Sequence, residues 1–411
     1  VNVLSRARTF VRPLWSHGRG PVLLFVALGW LLTLGTRYVF PALFPYLRTE
    51  LGLDLTTLGA LYTLLWATYA LGQFPAGFVA DVFSVRRTLT YSALLSAVAV
   101  LVVVLVTSFE LLVVAMVLFG ATSALYGPAR FTIMSRIYPE YAGTAIGLTQ
   151  ASGQLGNMLL PVVSGIIATQ FLWQAGFLYI IPLFLIAATG IWFVTPPPVS
   201  TEDSDSELAT DMSLRDIVTA TFSPLALLLT AVLSLAVFII QGLTAFYPTY
   251  LVEIKGFSTP TAATVFALLF ASATVVQPLA GTLQDRVGTR RALMIMASVL
   301  VVSLPVITLT TTFVGVLAAT LLLGGIFGTT PIALTHLTKS FPDEISGSGL
   351  GLVRTVYFLI ASTGSSVVGS MADRGLFNES FFLLSALAVV ILVATLFINR
   401  LTDGRHEGST S

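Results

Sequence analysis

The sequence predicts an all-α membrane protein, with twelve transmembrane helices in two pseudo-symmetric six-helix bundles. Three observations carry that expectation. Of 411 residues, 56% are hydrophobic and only 9% charged, against about 25% charged in soluble domains. Apolar runs of about 20 residues, the length that crosses a bilayer, recur along the whole chain. The stretch "GFVADVFSVRRTL", which begins at Gly77, returns near residue 281 as "GTLQDRVGTRRAL".

The spans follow in order. The first, 21–47, starts after the Arg-rich stretch "VNVLSRARTFVRPLWSHGRG", a polar tail over 1–20 without the short apolar run and cleavage site of a leader peptide. The second, 56–80, leads into the charged "DVFSVRR", and the third covers 88–107. Only "TSFE" divides the third from the fourth, 110–135, which ends in "LYGPARFTIMSRIYP". The fifth, 143–169, contains "GNMLLPVVSG", and the sixth, 173–195, closes the first bundle (21–195) at a proline run. Residues 196–222, with "PPPVSTEDSDSELATDMSLRD", read as a solvated cytoplasmic linker. The second bundle, 223–400, holds 223–251, 259–283, 290–311, 313–338, 346–371 and 379–399, with only "TTTF" between its third and fourth spans. A short C-terminal tail, 401–411, follows.

Lys and Arg set the orientation. With twelve spans both termini share one side, and that side carries fourteen Lys and Arg against three (Arg48, Lys255, Arg374) on the other. This places termini and linker in the cytoplasm of a multi-pass protein of the cell's inner or plasma membrane. The chain has no cysteine, so disulfides, thiolate metal sites and Cys nucleophiles are excluded. A net charge of +1 gives no sign of a nucleic-acid partner. No constellation of His, Asp, Ser or Cys suggests an enzyme, and no cofactor or metal site is expected.

An offset of 204 relates the halves. Gln73 meets Gln277, Gly77 meets Gly281, Asp81 meets Asp285, Arg86 and Arg87 meet Arg290 and Arg291, and Gly143 and Gly147 meet Gly347 and Gly351. The chain is therefore a parallel duplication of a six-helix unit, its two-fold axis along the membrane normal. With twelve spans and two copies of G-x-x-x-D-x-x-x-x-R-R, it resembles the major facilitator superfamily of secondary transporters over essentially its whole length. The second copy, "GTLQDRVGTRR", is the closer match, since the first has Ser84 where the second has Gly288.

The resemblance implies that Gly77, Asp81, Arg86, Arg87, Gly281, Asp285, Arg290 and Arg291 form a cytoplasmic gate that stabilises the outward-facing state. A carboxylate there can pair with Arg and accept N–H bonds from a helix start, and the glycines allow close helix approach. The arginines would also satisfy the positive-inside rule with no gating role.

Three arginines lie inside spans, where each is expensive and functional by default. Arg37 is about 13 Å from the outer boundary and Arg354 about 12 Å from the inner one at ~1.5 Å per residue. Their repeat mates are Gln241 and Gln150. Two Arg and two Gln at matched positions of the first, seventh, fifth and eleventh helices suggest a ring around a central cavity, where substrate sites of such transporters lie. Guanidinium forks fit carboxylate or phosphate, and Gln adds neutral donors and acceptors. Tyr38, Tyr62, Trp66, Tyr69, Phe246 and Tyr357 would shape the walls or simply pack. Structural alternatives are carbonyl pairing for Arg37 near Pro41 and Pro45, and snorkelling for Arg354. Arg130, about 9 Å from the cytoplasmic boundary, would contact departing substrate or pair with Asp81 in the gate. His336 offers a proton relay or a hydrogen-bonded packing role.

No Asp or Glu lies in the middle of any span, the fourth helix has Met116 four residues before Gly120, and Leu160 precedes Pro161 where drug/proton antiporters of the family keep a Gly-Pro pair. The sequence reading is thus a monomeric transporter for a small anion, of the organic carboxylate class, working by alternating access in the lipid bilayer, with a proton or counter-anion as candidate coupling ion. The alternative is efflux of drugs or apolar metabolites by proton antiport. A non-transporting receptor on the same scaffold is disfavoured by the two gate loops.

Overall fold

The structure is a computed structural model that describes residues 14–15, 18–196, 223–340 and 346–398. The linker and both tails lie almost wholly outside these residues. Among the described residues, twelve helices or helix pairs occupy the expected spans. They are α1 Gly20–Leu51, α2 Leu55–Phe83, α3 Val85–Val104, α4 Phe109–Ile137, α5 Ala142–Gln170, α6 Ala175–Val194, α7 Pro224–Glu253, α8 Thr259–Val287, α9 Thr289–Leu309, α10 Phe313–Leu323 with Ile326–Ser340, α11 Ser346–Asp373 and α12 Phe377–Thr395. Eleven are long and apolar enough to cross a membrane among the described residues. The exception, α2, is 29 residues long but interrupts its apolar run with Thr, Tyr, Trp and Gln.

Helix starts follow local chemistry. Ser108, Ser223, Ser258 and Thr312 each accept a hydrogen bond from the backbone N–H three residues on, satisfying donors the helix itself cannot. Breaks also have causes. α4 is interrupted at Leu125, and Pro128, lacking an N–H, leaves the Ala124 carbonyl without its helical donor. The Gln73 side-chain amide supplies the substitute at 3.2 Å.

Contacts cluster the chain into two compact units, 1–40 with 71–204, and 41–70 with 205–411. Within the first, α3 packs on α4 and α6; within the second, α9 packs on α10 and α12. These pairs are the repeat equivalents of one another. Outward faces are apolar, as a bilayer solvent requires: α3 exposes Tyr91, Leu95, Val98 and Leu101 at helical spacing.

Backbone contact between helices occurs where glycine permits it. A Cβ at Gly156 of α5 would lie 2.1 Å from the Leu31 carbonyl of α1, and one at Gly35 would lie 2.5 Å from the Gly156 carbonyl. At Gly281, where close approach was expected, a Cβ meets nothing within 4 Å. Gly143, Gly147 and Gly351 are equally open among the described residues.

The two loop copies show why Gly288 and Ser84 occupy equivalent positions. Gly288 precedes α9 at φ 82°, ψ 160°, and Ser84 precedes α3 at φ 67°, ψ 142°. The turn demands a conformation that glycine adopts freely and serine does not.

Candidate functional site

In the first unit, Arg37 lies midway along α1 and is 1% exposed. Thr33 and Thr36, on the same stretch of helix, are fully buried. The guanidinium donates to the Ser123 hydroxyl of α4 at 3.3 Å, and Ser123 in turn donates to the Gly120 carbonyl. Arg37 is thus fixed across the break of α4 through a neutral hydroxyl. Tyr38 beside it is 5% exposed.

Arg130 is the second buried cation of this unit, also 1% exposed. It donates to the Thr149 hydroxyl at 2.8 Å and to the Gln150 Oε1 at 3.2 Å, both on α5. Its guanidinium carbon stands 4.1 Å from the centre of the Trp30 ring and 4.4 Å from that of Phe131, a cation–π setting. Trp30 stacks on Tyr126, with ring centroids 6.2 Å apart, and the Tyr126 hydroxyl donates to the Val26 carbonyl. Sequence spacing placed Arg130 near the gate; the structure places it beside Gln150. A guanidinium has only donors, so the amide oxygen must face it. The Gln150 NH2 is then left to donate elsewhere.

In the second unit, Gln241 lies midway along α7 and is 1% exposed, with its Oε1 buried and unbonded. An amide oxygen in that state costs free energy until a donor reaches it. Arg354 of α11 is half-buried one turn from Tyr357, and its Nε is buried without a hydrogen-bond partner among the described residues. Tyr357 and Tyr62 are buried, and Trp66 is 4% exposed. Trp66 lies parallel to Phe358 at 6.0 Å and 8°, with Tyr69 edge-on to Phe358 at 5.7 Å. Phe44 bridges Tyr62 and Phe246. The sequence missed Phe358, whose only signal was adjacency to Tyr357, and Trp30, whose distance from Arg130 in the chain hid their contact.

The four expected ring members fall two to each unit: Arg37 and Gln150 in the first, Gln241 and Arg354 in the second. Gln150 is paired by Arg130.

The gate residues present less. The Asp81 and Gly77 side-chain positions fall outside the described residues. Arg86 lies 4.2 Å over the Trp192 ring of α6, while Arg87, Arg291 and Asp285 are exposed and Arg290 half-buried. His336 has Nδ1 3.3 Å from the Thr289 hydroxyl at the start of α9, and Gln284 of α8 donates to the same hydroxyl and to the Ile332 carbonyl. Among the described residues, no group of three His, Asp or Glu could hold a metal ion.

Comparison with known proteins agrees with this architecture. The Major Facilitator Superfamily profile matches residues 25–364 and 260–410. The chain is 24% identical over 426 residues to the hexuronate transporter of Bacillus subtilis (strain 168), covering 96% of this chain and 98% of that one. It is 23% identical to the cis,cis-muconate transport protein of Acinetobacter baylyi, over 86% of this chain and 87% of the other. It is 25% identical to the probable sulfoacetate transporter SauU of Cupriavidus necator, over 87% and 88%. Among solved structures, a mutant of the nucleoside transporter NupG superposes with a TM-score of 0.78 at 16% identity, covering 92% of this chain and 99% of that one. With its twelve helices, its repeated loop and a family match along nearly its entire length, this chain belongs to the Major Facilitator Superfamily and is a multi-pass secondary transporter, not an enzyme.

Proposed function

We propose that the protein moves a small organic anion bearing a carboxylate across the membrane by alternating access. The observation that carries this reading is Arg37: a permanently charged guanidinium, 1% exposed at the middle of a span. Such a charge is retained only for a role that repays its desolvation, and a planar donor fork suits a carboxylate. Gln150 supports the reading, because Arg130 holds its oxygen and leaves NH2 donors for an acceptor-rich ligand. Gln241, with its unbonded Oε1, offers an acceptor to a ligand hydroxyl or to a water. The relatives named for hexuronate, muconate and sulfoacetate all carry organic anions, which agrees in class with this chemistry.

In this reading Arg37 and Arg354 hold the anionic group, and Gln150 and Gln241 orient the remainder. Asp81, Asp285 and the loop arginines gate the cytoplasmic side, where the termini lie. The lack of a carboxylate in the middle of any span favours uniport or anion exchange over proton coupling. A second reading, efflux of apolar compounds, is favoured by the Trp66–Tyr69–Phe358 cluster.

The test is uptake into proteoliposomes. D-glucuronate, cis,cis-muconate and sulfoacetate are offered alongside a cationic dye. Uptake of at least one anion, weakened in Arg37→Lys and abolished in Arg37→Gln, is expected. Dye transport that ignores both substitutions, with no anion uptake, replaces the anion reading by efflux.

A further inference from the structure

The sequence repeat assigns residues 41–70 to the first bundle, yet their contacts place them with 205–411. The reason is a register of polar and glycine contacts between α2 and α11, turn after turn. Trp66 stacks on Phe358. The Thr63 hydroxyl donates to the Ser362 carbonyl at 2.7 Å and shares hydrogen bonds with the Ser365 and Ser366 hydroxyls at 2.9 and 2.7 Å. A Cβ at Gly59 would lie 2.5 Å from the Ser365 carbonyl, and one at Gly369 would lie 2.3 Å from the Leu55 carbonyl. At the end stands Asp373. Its Oδ1 accepts the Leu55 N–H at 2.9 Å, and its Oδ2 accepts the Thr56 N–H and hydroxyl, both at 2.6 Å.

α2 thus begins with two carboxylates. Its own Asp54 accepts the Thr57 N–H at 2.7 Å, and Asp373 takes the two preceding donors. An anion bonded to free N–H groups at a helix start gains from both the hydrogen bonds and the helix dipole. Close by in the chain, Arg48 at the end of α1 forms an ion pair with Glu253 at the end of α7.

The repeat provides an internal control. Shifted by 204, Asp373 becomes Thr169, Thr56 becomes Pro260, Gly59 and Thr63 become Ala263 and Ala267, and Ser362, Ser365 and Ser366 become Met158, Pro161 and Val162. Pro260 has no N–H to give, Thr169 has no charge, and Ser258 already caps Thr261. The polar members of the α2–α11 contact are therefore specific to one side of the pseudo-symmetric pair, while its glycine at 369 has a repeat mate in Gly165.

We propose that Asp373 is a one-sided latch. By capping α2, a helix of the first repeat, from the end of α11, a helix of the second, it holds shut the side of the transporter that the Lys and Arg distribution places outside. Alternating access requires α2 and α11 to part there, so the strength of this cap sets the fraction of time the exterior is open. The Arg48–Glu253 pair acts in the same sense at α1 and α7. This role does not depend on which substrate is carried.

These 411 residues contain no cysteine, so a single reporter placed among them is unambiguous. Ser366→Cys lies inside the contact and is labelled in intact cells with a membrane-impermeant maleimide. Adding Asp373→Asn, which keeps the shape but removes the charge, should speed labelling about tenfold, the effect of one charge-assisted bond on a two-state equilibrium. Asp373→Ala should do at least as much. Melting temperature and elution volume of each purified variant report folding, and a variant that fails either is excluded in favour of Asp373→Asn. Unchanged labelling in folded Asp373→Asn overturns the latch. Because no substrate enters the experiment, its failure leaves the anion reading untouched, and failure to find a transported anion leaves the latch untouched.

Discussion

Ser84→Gly should make the protein more stable, against the usual expectation for glycine. Ser84 sits at φ 67°, ψ 142°, and its repeat mate Gly288 at φ 82°, ψ 160°. This region is adopted almost only by glycine and costs other residues about 1–3 kcal/mol. The Ser84 hydroxyl is buried without a hydrogen bond, so its removal sacrifices no bond. Against the relief stands the greater freedom of glycine in the unfolded chain, about 0.4–1 kcal/mol. The net gain is about 1 kcal/mol, which for a unit of 150–250 residues corresponds to about 2–4 °C in melting temperature. Gly288→Ala is the complementary test. A Cβ there meets nothing within 4 Å, so sterics contribute nothing and only the backbone term remains, a loss of about 1–3 kcal/mol. Both variants can be followed by intrinsic tryptophan fluorescence during a thermal ramp in detergent. If Ser84→Gly melts at or below the parent while Gly288→Ala melts with it, the turn does not impose this conformation and the reasoning fails.

Other expectations are equally direct. Gly156→Ala drives a methyl into the Leu31 carbonyl and should cost about 1–3 kcal/mol by overpacking, seen as lower melting temperature and reduced yield; parent-like melting would show that α1 and α5 separate freely. Arg130→Lys keeps the charge but loses the fork that reaches both Thr149 and Gln150. For whichever anion is transported, KM should rise more than kcat falls, and an unchanged KM would remove Gln150 from the site. Asp54 is held below its ordinary value of 3.8, first by the Thr57 hydroxyl and backbone and also by Arg48. A depressed carboxylate contributes stability that is full above its unfolded pKa and fades as pH falls through the folded one. The melting temperature of Asp54→Asn relative to the parent should therefore be constant from pH 7 to about pH 5 and converge on it below about pH 4; no convergence would deny the cap.

Much of the fold was legible because a bilayer imposes simple rules. Span length, charge placement and the 204-residue offset all leave marks in one dimension. Arg37 and Gln241 were legible for a related reason, since polar residues in apolar runs stand out and both prove buried. Side-chain pairing was not. Arg130 and Gln150 are 20 residues apart on separate helices, and nothing in their spacing says that they face each other. Asp373 reads as an ordinary loop charge, because its partners lie 317 and 318 residues away. Glycine gave a half-signal. It marks where a Cβ is missing, but whether a neighbour fills the space depends on helix rotation. Hence Gly156 is in backbone contact while Gly281 is open.

The seam between α1 and α5 has a consequence for selectivity. At Gly156 and Gly35 the two helices meet main chain to main chain, so at these points backbone, and not side-chain rotamers, sets how closely they approach. Such a joint does not creep; it either holds its register or comes apart. Arg37 is mounted on one helix and Gln150 on the other, and the spacing of their backbones is held by that contact. The first unit carries, in effect, a pair of calipers with a locked screw. Candidate ligands would be sorted by length as well as by charge, and widening that choice would call for residues other than these glycines.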